Sequence, residues 1–476
     1  MSDESRSADS SQREGASFQC SEPAGIAGVP AVFETAARVS FGILIALIPF
    51  RARLVLRPIP IGSLYSDFTD WILFASDVFG LLTLLFWAGA LVAERRKPEP
   101  GPWFLTWPLA GILVVGLISS FGSAAPALSW YHAARLAGLF ALYLFIVNEV
   151  RALADLTLPI AALVSIQSVV AVAQYLSQQS IGLLFLDELA LDPSAPGISI
   201  VWAPGSLALR SYGLTDHPNI LGGCLALGLL FLIPAYLEVR PARRTPLLGV
   251  ILIGLIALLF SFSRAAWLAL AAGGLILAVW LLAQDRDGFR PLFALGMTSV
   301  LVLLPFSLAA APYLGSRFGI GTEVRITDPD FRSPEHRSLD ERSQLAEAAN
   351  RMFVENPITG VGLGAFSVAL QERLADFEYD YQPVHFVLLL AAVETGLLGA
   401  LFYFLAVALP WVALWLARSK RSFGPGLAAA SAALAGVTVI GLFDYYPWFL
   451  APGRLWHWVI WGVWGAFYVN RPRNHE

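Results

Sequence analysis

The residues of this chain best suited to chemistry are arginines and histidines at the borders of long apolar stretches. Arg210, His217 and Asn219 lie in the run RSYGLTDHPN, directly before such a stretch. Arginine binds anionic groups, and the histidine and the amide could shape the same site. The alternative is a polar helix entrance, in which Asp216 caps the helix and Pro218 takes its first position.

A second arginine, Arg264, follows Ser261-Phe262-Ser263 between two apolar stretches. A tight turn there would place Arg264 at the start of a helix, where backbone N–H groups lack partners. A guanidinium and a helix N-terminus together favour phosphate. The alternative is an arginine that extends to lipid headgroups.

The main polar segment of the chain, residues 312–384, supplies two further candidates. Arg342 lies in its expected helix, and the alternative is an exposed arginine paired with Glu341 or Glu347. His385 follows the segment at the entrance of a long apolar stretch. A histidine titrates near neutral pH and can take a proton from a hydroxyl group. The alternative is an interfacial hydrogen-bonding anchor.

Other polar groups beside or within apolar stretches need an explanation, because charge is costly in a membrane. We expect Glu394 to pair within the helix bundle. The segment Asp444 to Trp448 is typical of an interfacial aromatic belt, and the alternative is that Asp444 touches the candidate site. Asp77, Arg135 and Gln174 can pair with one another.

Several sequence motifs are absent. The chain has no Walker loop, H-E-x-x-H or C-x-x-C motif, and no D-x-D pair that is placed to hold a metal ion for a sugar nucleotide. We therefore expect neither a nucleotide substrate nor an obligatory metal ion or other cofactor. Arginines would supply the positive charge that a divalent cation supplies in other enzymes.

The composition predicts an all-α polytopic membrane protein. Of the 476 residues, 57% are hydrophobic and 14% charged, with a mean hydropathy of +0.65. Soluble domains carry about 25% charged residues. The apolar runs are continuous, which argues against a β-barrel. The net charge of −4 gives no reason to expect nucleic acid, and two cysteines predict no disulfide framework.

Runs of about 20 apolar residues predict about twelve transmembrane helices. They lie near 36–55, 71–93, 103–121, 131–149, 156–177, 216–238, 246–262, 264–283, 291–311, 385–417, 424–443 and 454–470. The span 385–417 is too long for an upright helix, so Gly396 and Gly399 predict a kink or a strong tilt.

Basic residues predict the orientation, because cytoplasmic loops are enriched in Lys and Arg. With both termini inside, fourteen basic residues lie in inner loops and six in the short outer loops. The expected division is a disordered inner tail (1–35), nine helices (36–311), a large outer loop (312–384), three helices (385–470) and a second inner tail (471–476).

Local patterns predict structure within the outer loops. Ser338 to Glu341 resembles a capping box that opens a helix, which should stop at Asn356 before Pro357. The glycines at alternate positions in 359–364 permit a tight turn or a close approach of the backbone to another group. The apolar start of segment 178–215 predicts a short interfacial helix.

The order of these motifs resembles the O-antigen ligase and O-antigen polymerase superfamily of bacterial membrane glycosyltransferases. The resemblance covers residues 205–450 and rests on five motifs: RSYGLTDHPN (210–219), SFSRAAW (261–267), Arg342 ahead of ENPITGVGLGAF (355–366), His385 followed by ETGLLG (394–399), and FDYYP (443–447). The family usually has His-Asn at the loop exit, whereas this chain has His385-Phe386.

The resemblance implies a GT-C-like fold and a glycan donor on undecaprenyl diphosphate at the outer face of the bacterial cytoplasmic membrane. It implies that Arg264 and Arg342 act with His385 in catalysis and that Arg210, His217 and Asn219 bind the diphosphate and sugar. His385 would assist attack by the acceptor hydroxyl, with inversion at the anomeric carbon.

Three classes of function stay open on the sequence alone. The first is a transferase of lipid-linked glycans. Within it, a ligase (acceptor a lipid, protein or other anchor) and a polymerase (acceptor another glycan) share these motifs. A transporter or flippase of polyprenyl-linked sugars would favour broken helices and internal repeats, and no repeats are found. A non-catalytic scaffold of an envelope assembly is the third.

Overall fold

The computed structural model describes residues 28–203, 205–284, 286–318, 334–418 and 423–469. Most of the expected inner tails and residues 319–333 of the expected outer loop lie outside these ranges. Within them the chain forms fifteen helices and two short hairpins, so the predicted all-α polytopic fold is confirmed.

The bounds of the elements follow the chain in order. The helices are α1 (Gly28–Leu47), α2 (Ala75–Glu94), α3 (Trp103–Phe121), α4 (Pro126–Glu149), α5 (Ala154–Ser177), α6 (Pro218–Glu238), α7 (Pro241–Phe260), α8 (Arg264–Gln284), α9 (Arg286–Ala309), α10 (Ala311–Arg317), α11 (Pro334–Glu355), α12 (Phe366–Arg373), α13 (Val387–Ala417), α14 (Pro425–Phe443) and α15 (Ala451–Val469). Strand β1 (Arg53–Arg57) pairs antiparallel with β2 (Trp71–Phe74), and β3 (Ile200–Ala203) pairs with β4 (Ser206–Leu209).

Eleven of the described helices are long and apolar enough to cross a membrane. The twelfth predicted span corresponds to α15, which is not among the eleven. It carries Arg454 and His457, and its residues 451–466 are all buried. Helix α15 therefore packs inside the bundle, where polar side chains meet protein partners instead of lipid.

Helix α6 is the most buried of the candidate spans and packs against α5, α7, α8 and α14. Small residues allow this close packing. A Cβ atom on Gly223 would lie 1.8 Å from the Tyr446 hydroxyl oxygen, in the segment that connects α14 and α15. The packing of α6 thus fixes its N-terminus against the end of α14.

Three local predictions were wrong in detail. The first span ends at Leu47, because residues 53–57 form a strand. The expected interfacial helix in 178–215 is a 3-10 turn followed by the β3–β4 hairpin, since Pro and Gly residues punctuate this segment. Helix α11 begins at Pro334, so Ser338 lies inside it and does not cap it; its end at Glu355 was predicted.

The kink expected in α13 occurs at Gly396, whose φ and ψ are 72° and −176°. Segment 357–362 fills the break. Val361 N donates to Val393 O at 2.8 Å, Gly362 N donates to Glu394 O at 3.0 Å, and Leu397 N donates to Pro357 O at 2.8 Å. The alternating glycines therefore serve a close approach of two backbones.

We expect Gly396→Ala to destabilise the protein strongly. Its φ is left-handed, and an added Cβ would lie 2.0 Å from Ile358 O. The free energy of unfolding should fall by more than about 2 kcal/mol, which would be measured as a lower melting temperature in detergent. Gly274→Ala is the control, because nothing lies within 4 Å of its added Cβ in α8. Equal melting temperatures of the two variants would contradict this account.

Candidate active site

Five helix ends meet at one end of the bundle: the starts of α6, α8 and α13 and the ends of α7 and α14. Two side-chain contacts connect three of them. Arg210, before α6, donates from Nε to Ser261 O after α7 at 2.9 Å. Asn219 Nδ2 donates to Asp444 Oδ2 after α14 at 3.0 Å.

Arg210 is buried, with 6% of its surface exposed. Its Nη2 donates to Asn219 Oδ1 at 2.7 Å, so Asn219 relays between the arginine and Asp444. Burial, and then the charges of Arg317 and Arg264, lower the pKa of Arg210 to about 9. The guanidinium is therefore held in an electropositive surrounding that a bound anion would relieve.

His217 is the N-cap of α6: its Nδ1 accepts from Asn219 N at 3.1 Å, and its Nε2 lies 3.1 Å from Ser199 Oγ. Pro218 takes the first helical position, as expected. Asp216 does not cap the helix; it pairs with Arg51 at 3.0 Å. His217 thus positions Asn219 through the helix start.

Arg264 is the first residue of α8, as the sequence predicts. The turn before it holds Phe262 at φ 49°, a left-handed conformation that is uncommon for an aromatic residue. Arg264 Nη1 donates to Arg317 O at 3.1 Å, and Arg317 Nη2 donates to Phe262 O at 3.3 Å. The turn and α10 therefore hold Arg264 and Arg317 side by side.

Arg317 is a residue that the sequence reasoning missed. It lies in the last turn of α10. Its charge acts on Arg210 and His217, which places it in the same cluster. The only sequence signal is its position directly after the ninth apolar stretch, where a basic residue can equally serve as a lipid-headgroup contact.

Arg342 is half-buried in α11 and acts electrostatically on three residues of the cluster. Its charge contributes, after burial, to the lowered pKa values of His385 and His217. Burial raises the pKa of Asp444, and the charge of Arg342 opposes that rise. Arg342 is not fully exposed, as the paired alternative assumed, but its charge also acts on Glu341.

His385 lies two residues before α13, with its ring edge-on to Tyr445 at a centroid distance of 5.0 Å. Its Nδ1 is buried and has no hydrogen-bond partner among the described residues. Burial, and then the charge of Arg342, lower the pKa of His385 to about 3. The imidazole is therefore neutral at physiological pH and has one ring nitrogen without a protein partner.

A short hydrogen-bond chain joins the residues beside Arg342 and His385. Gln382 Nε2 donates to Glu341 Oε1 at 2.6 Å, and the Tyr445 hydroxyl donates to Gln382 Oε1 at 3.4 Å. The chain joins α11, the segment before α13 and the segment after α14. It connects Glu341, the neighbour of Arg342, to Tyr445, whose ring contacts His385.

The other polar groups singled out in the sequence have structural roles. They are Glu394, Asp77, Arg135 and Gln174. Trp448 Nε1 donates to Glu394 Oε2 at 2.8 Å, as expected for a carboxylate paired within the bundle. Arg135 Nη2 donates to Asp77 Oδ1 at 2.8 Å, so this pairing was predicted correctly. Gln174 does not join them; its Nε2 donates to Glu188 Oε1 at 2.9 Å.

The structure thus brings together all six sequence candidates and adds Arg317. The charges of Arg210, Arg317 and Arg342 act on His217, Arg342 also acts on His385, and Asp444 contacts the site through Asn219. Among the described residues, no group of three or more His, Cys, Asp or Glu side chains is placed to hold a metal ion. Such a site favours a substrate group with several negative charges.

We expect stability to fall as the pH drops from 7 to 5, in part because of His217 and His385. Burial is the main cause that lowers both pKa values to about 3. In the unfolded chain both histidines bind protons near pH 6.5, whereas in the folded chain they stay unprotonated at that pH. Each histidine should therefore cost on the order of 1 kcal/mol per pH unit below pH 6.5.

The double variant His217→Asn, His385→Gln tests this pH dependence, and asparagine retains the capping function. Its melting temperature should fall less between pH 7 and pH 5 than that of the parent protein. Equal pH slopes for the two proteins would show that these histidines are not held neutral.

Comparison with known proteins identifies one family. Residues 249–404 match the family model described as O-antigen ligase, which confirms the resemblance expected from the motifs. The matched range contains Arg264, Arg317, Arg342 and His385. No curated protein matches the chain significantly.

Proposed function

Because residues 249–404 match the O-antigen ligase family, we propose that this multi-pass membrane protein transfers an oligo- or polysaccharide from undecaprenyl diphosphate to an acceptor hydroxyl. The acceptor is a glycan, a lipid or a protein, and the site faces outward from the bacterial cytoplasmic membrane. The observation that carries this proposal is the convergence of four electrostatically coupled arginines with His217 and with His385, whose Nδ1 has no hydrogen-bond partner among the described residues.

The arginines bind the diphosphate. Guanidinium groups form charge-assisted, often bidentate hydrogen bonds to phosphate oxygens. Arg264 at the start of α8 adds a helix N-terminus to this positive field. When the bond between the anomeric carbon and the phosphate oxygen breaks, the diphosphate keeps the electron pair. Positive charge fixed beside it stabilises the charge that develops, without need for a metal ion.

His385 assists the acceptor. The acceptor oxygen attacks the anomeric carbon from the face opposite the diphosphate and inverts its configuration. Its proton passes to the neutral imidazole, whose Nδ1 has no protein partner among the described residues. The negative charge of the diphosphate offsets the charge of Arg342, which contributes to the low pKa of His385. Substrate binding therefore makes His385 a stronger base.

A lipid-linked donor also explains why the site lies at the level of the helix ends. The sugar and diphosphate are polar, whereas the polyprenyl chain stays in the bilayer beside the candidate spans. A site at the ends of five helices meets both parts of such a donor. The basic bias of the loops at the opposite end supports an outward-facing site.

A transfer assay tests the proposal. Purified protein in vesicles is incubated with an undecaprenyl-diphosphate oligosaccharide and candidate acceptors, with and without EDTA. We expect free undecaprenyl diphosphate and glycosylated acceptor in both samples. A longer lipid-linked glycan would identify a polymerase. Movement of intact donor lipid across the bilayer without release of undecaprenyl diphosphate would replace the proposal with transport.

A further inference from the structure

An open groove lies at the end of the bundle opposite the arginine cluster, where α5 and α7 begin and α6 ends. Its empty volume is about 1590 Å³. The lining is predominantly apolar and includes Ala161, Ala235, Leu247 and Val250. Leu158, which also lines it, is 77% exposed. This groove is separate from the candidate active site.

Glycines explain why the three helices diverge into a groove. Deeper in the bundle, α5 and α7 meet so closely that a Cβ on Gly254 would lie 2.8 Å from Val164 Cγ1. A Cβ on Gly228 of α6 would lie 2.8 Å from Val164 Cγ2. Three helices that are pressed together at this level and cross at an angle must separate toward their ends.

The mouth of the groove is basic. Arg240 and Arg243 line it, together with one carboxylate, Glu238. Arg244 is occupied elsewhere, since it donates to Leu237 O at 3.2 Å and Val239 O at 3.3 Å at the end of α6. Arg240 and Arg243 are exposed, and their side chains have no hydrogen bond to any residue that the structure describes.

An apolar groove open to the side with a basic rim matches one class of ligand. Acyl chains satisfy the apolar walls, and arginines near the membrane surface attract anionic headgroups. A zwitterionic lipid would leave the two guanidinium groups without a net counter-charge, and a soluble anion would leave the apolar walls uncovered. We infer that the groove between α5, α6 and α7 binds a phospholipid with a net negative headgroup.

Native mass spectrometry of the full-length protein tests this inference. The protein is exchanged into mixed micelles that contain equal amounts of phosphatidylglycerol and phosphatidylcholine with the same acyl chains. We expect selective retention of phosphatidylglycerol by the parent protein. The double variant Arg240→Gln, Arg243→Gln should retain at least fivefold less of it. Arg290→Gln, which removes an exposed arginine at the start of α9 outside the groove, should behave like the parent.

A second variant separates the groove from the charge. Ala161→Trp places a bulky side chain in the groove and keeps both arginines, so it should also lose phosphatidylglycerol. Retention of this lipid by the double arginine variant at the parent level, or no preference between the two lipids in the parent, would overturn the inference. If Ala161→Trp fails to fold, the arginine variant alone decides. None of these outcomes bears on glycan transfer.

Discussion

Arg264→Ala is expected to lower the rate of glycan transfer by a factor on the order of 10² to 10³. The side chain lies at the start of α8 and is held against α10 through Arg317 O. There it can stabilise the diphosphate as the bond to the sugar breaks. Release of undecaprenyl diphosphate under saturating donor measures the effect on turnover.

Two companion variants make the Arg264 result specific. Arg264→Lys keeps the charge but not the planar fork of donors, so we expect only partial activity. Arg351→Ala removes an exposed arginine on α11 that pairs with Glu347, outside the cluster, and should transfer glycan at the parent rate. Near-normal turnover of Arg264→Ala would remove this residue from the mechanism.

His385→Ala is expected to reduce kcat by about 10² to 10⁴, the usual contribution of a general base. In the proposed mechanism the imidazole acts on the acceptor hydroxyl, so the KM for the lipid-linked donor should change little. Added imidazole should restore part of the activity in a concentration-dependent way. Rates measured against pH, donor and imidazole concentration check all three expectations.

The control for His385 is its exposed neighbour. Phe386→Ala changes a side chain that is 36% exposed and should retain activity. The melting temperature of His385→Ala should stay at or above that of the parent, since a half-buried uncharged imidazole whose Nδ1 has no partner among the described residues adds little to stability. A large rise in donor KM with unchanged kcat would instead assign His385 to binding.

The family match and the geometry support these predictions independently. The match covers Arg264, Arg342 and His385, whereas Arg210 and Asp444 lie outside it. The hydrogen bond from Arg210 to Ser261 O connects the unmatched residues to the matched range, and Asn219 joins Arg210 to Asp444. The cluster is therefore a single structural unit formed from distant parts of the chain.

The sequence alone determined the class of fold and most helix ends. Apolar runs of membrane length are local properties, and Pro218 and Pro357 mark helix ends because proline restricts its own backbone and that of its neighbour. The kink at Gly396 was predictable for the same reason, since glycine lowers the cost of a left-handed backbone. Arginines at the borders of apolar runs were recognisable because charge in a membrane is costly.

Only the tertiary structure decided which polar groups meet. The contact of Arg264 with Arg317 and the hydrogen bonds from Arg210 through Asn219 to Asp444 join residues up to 225 positions apart. No local pattern encodes such contacts, because they follow from how closely the helices pack. The small residues of α6 and the glycines of segment 357–362 set those distances, and through them the position of every charge in the site.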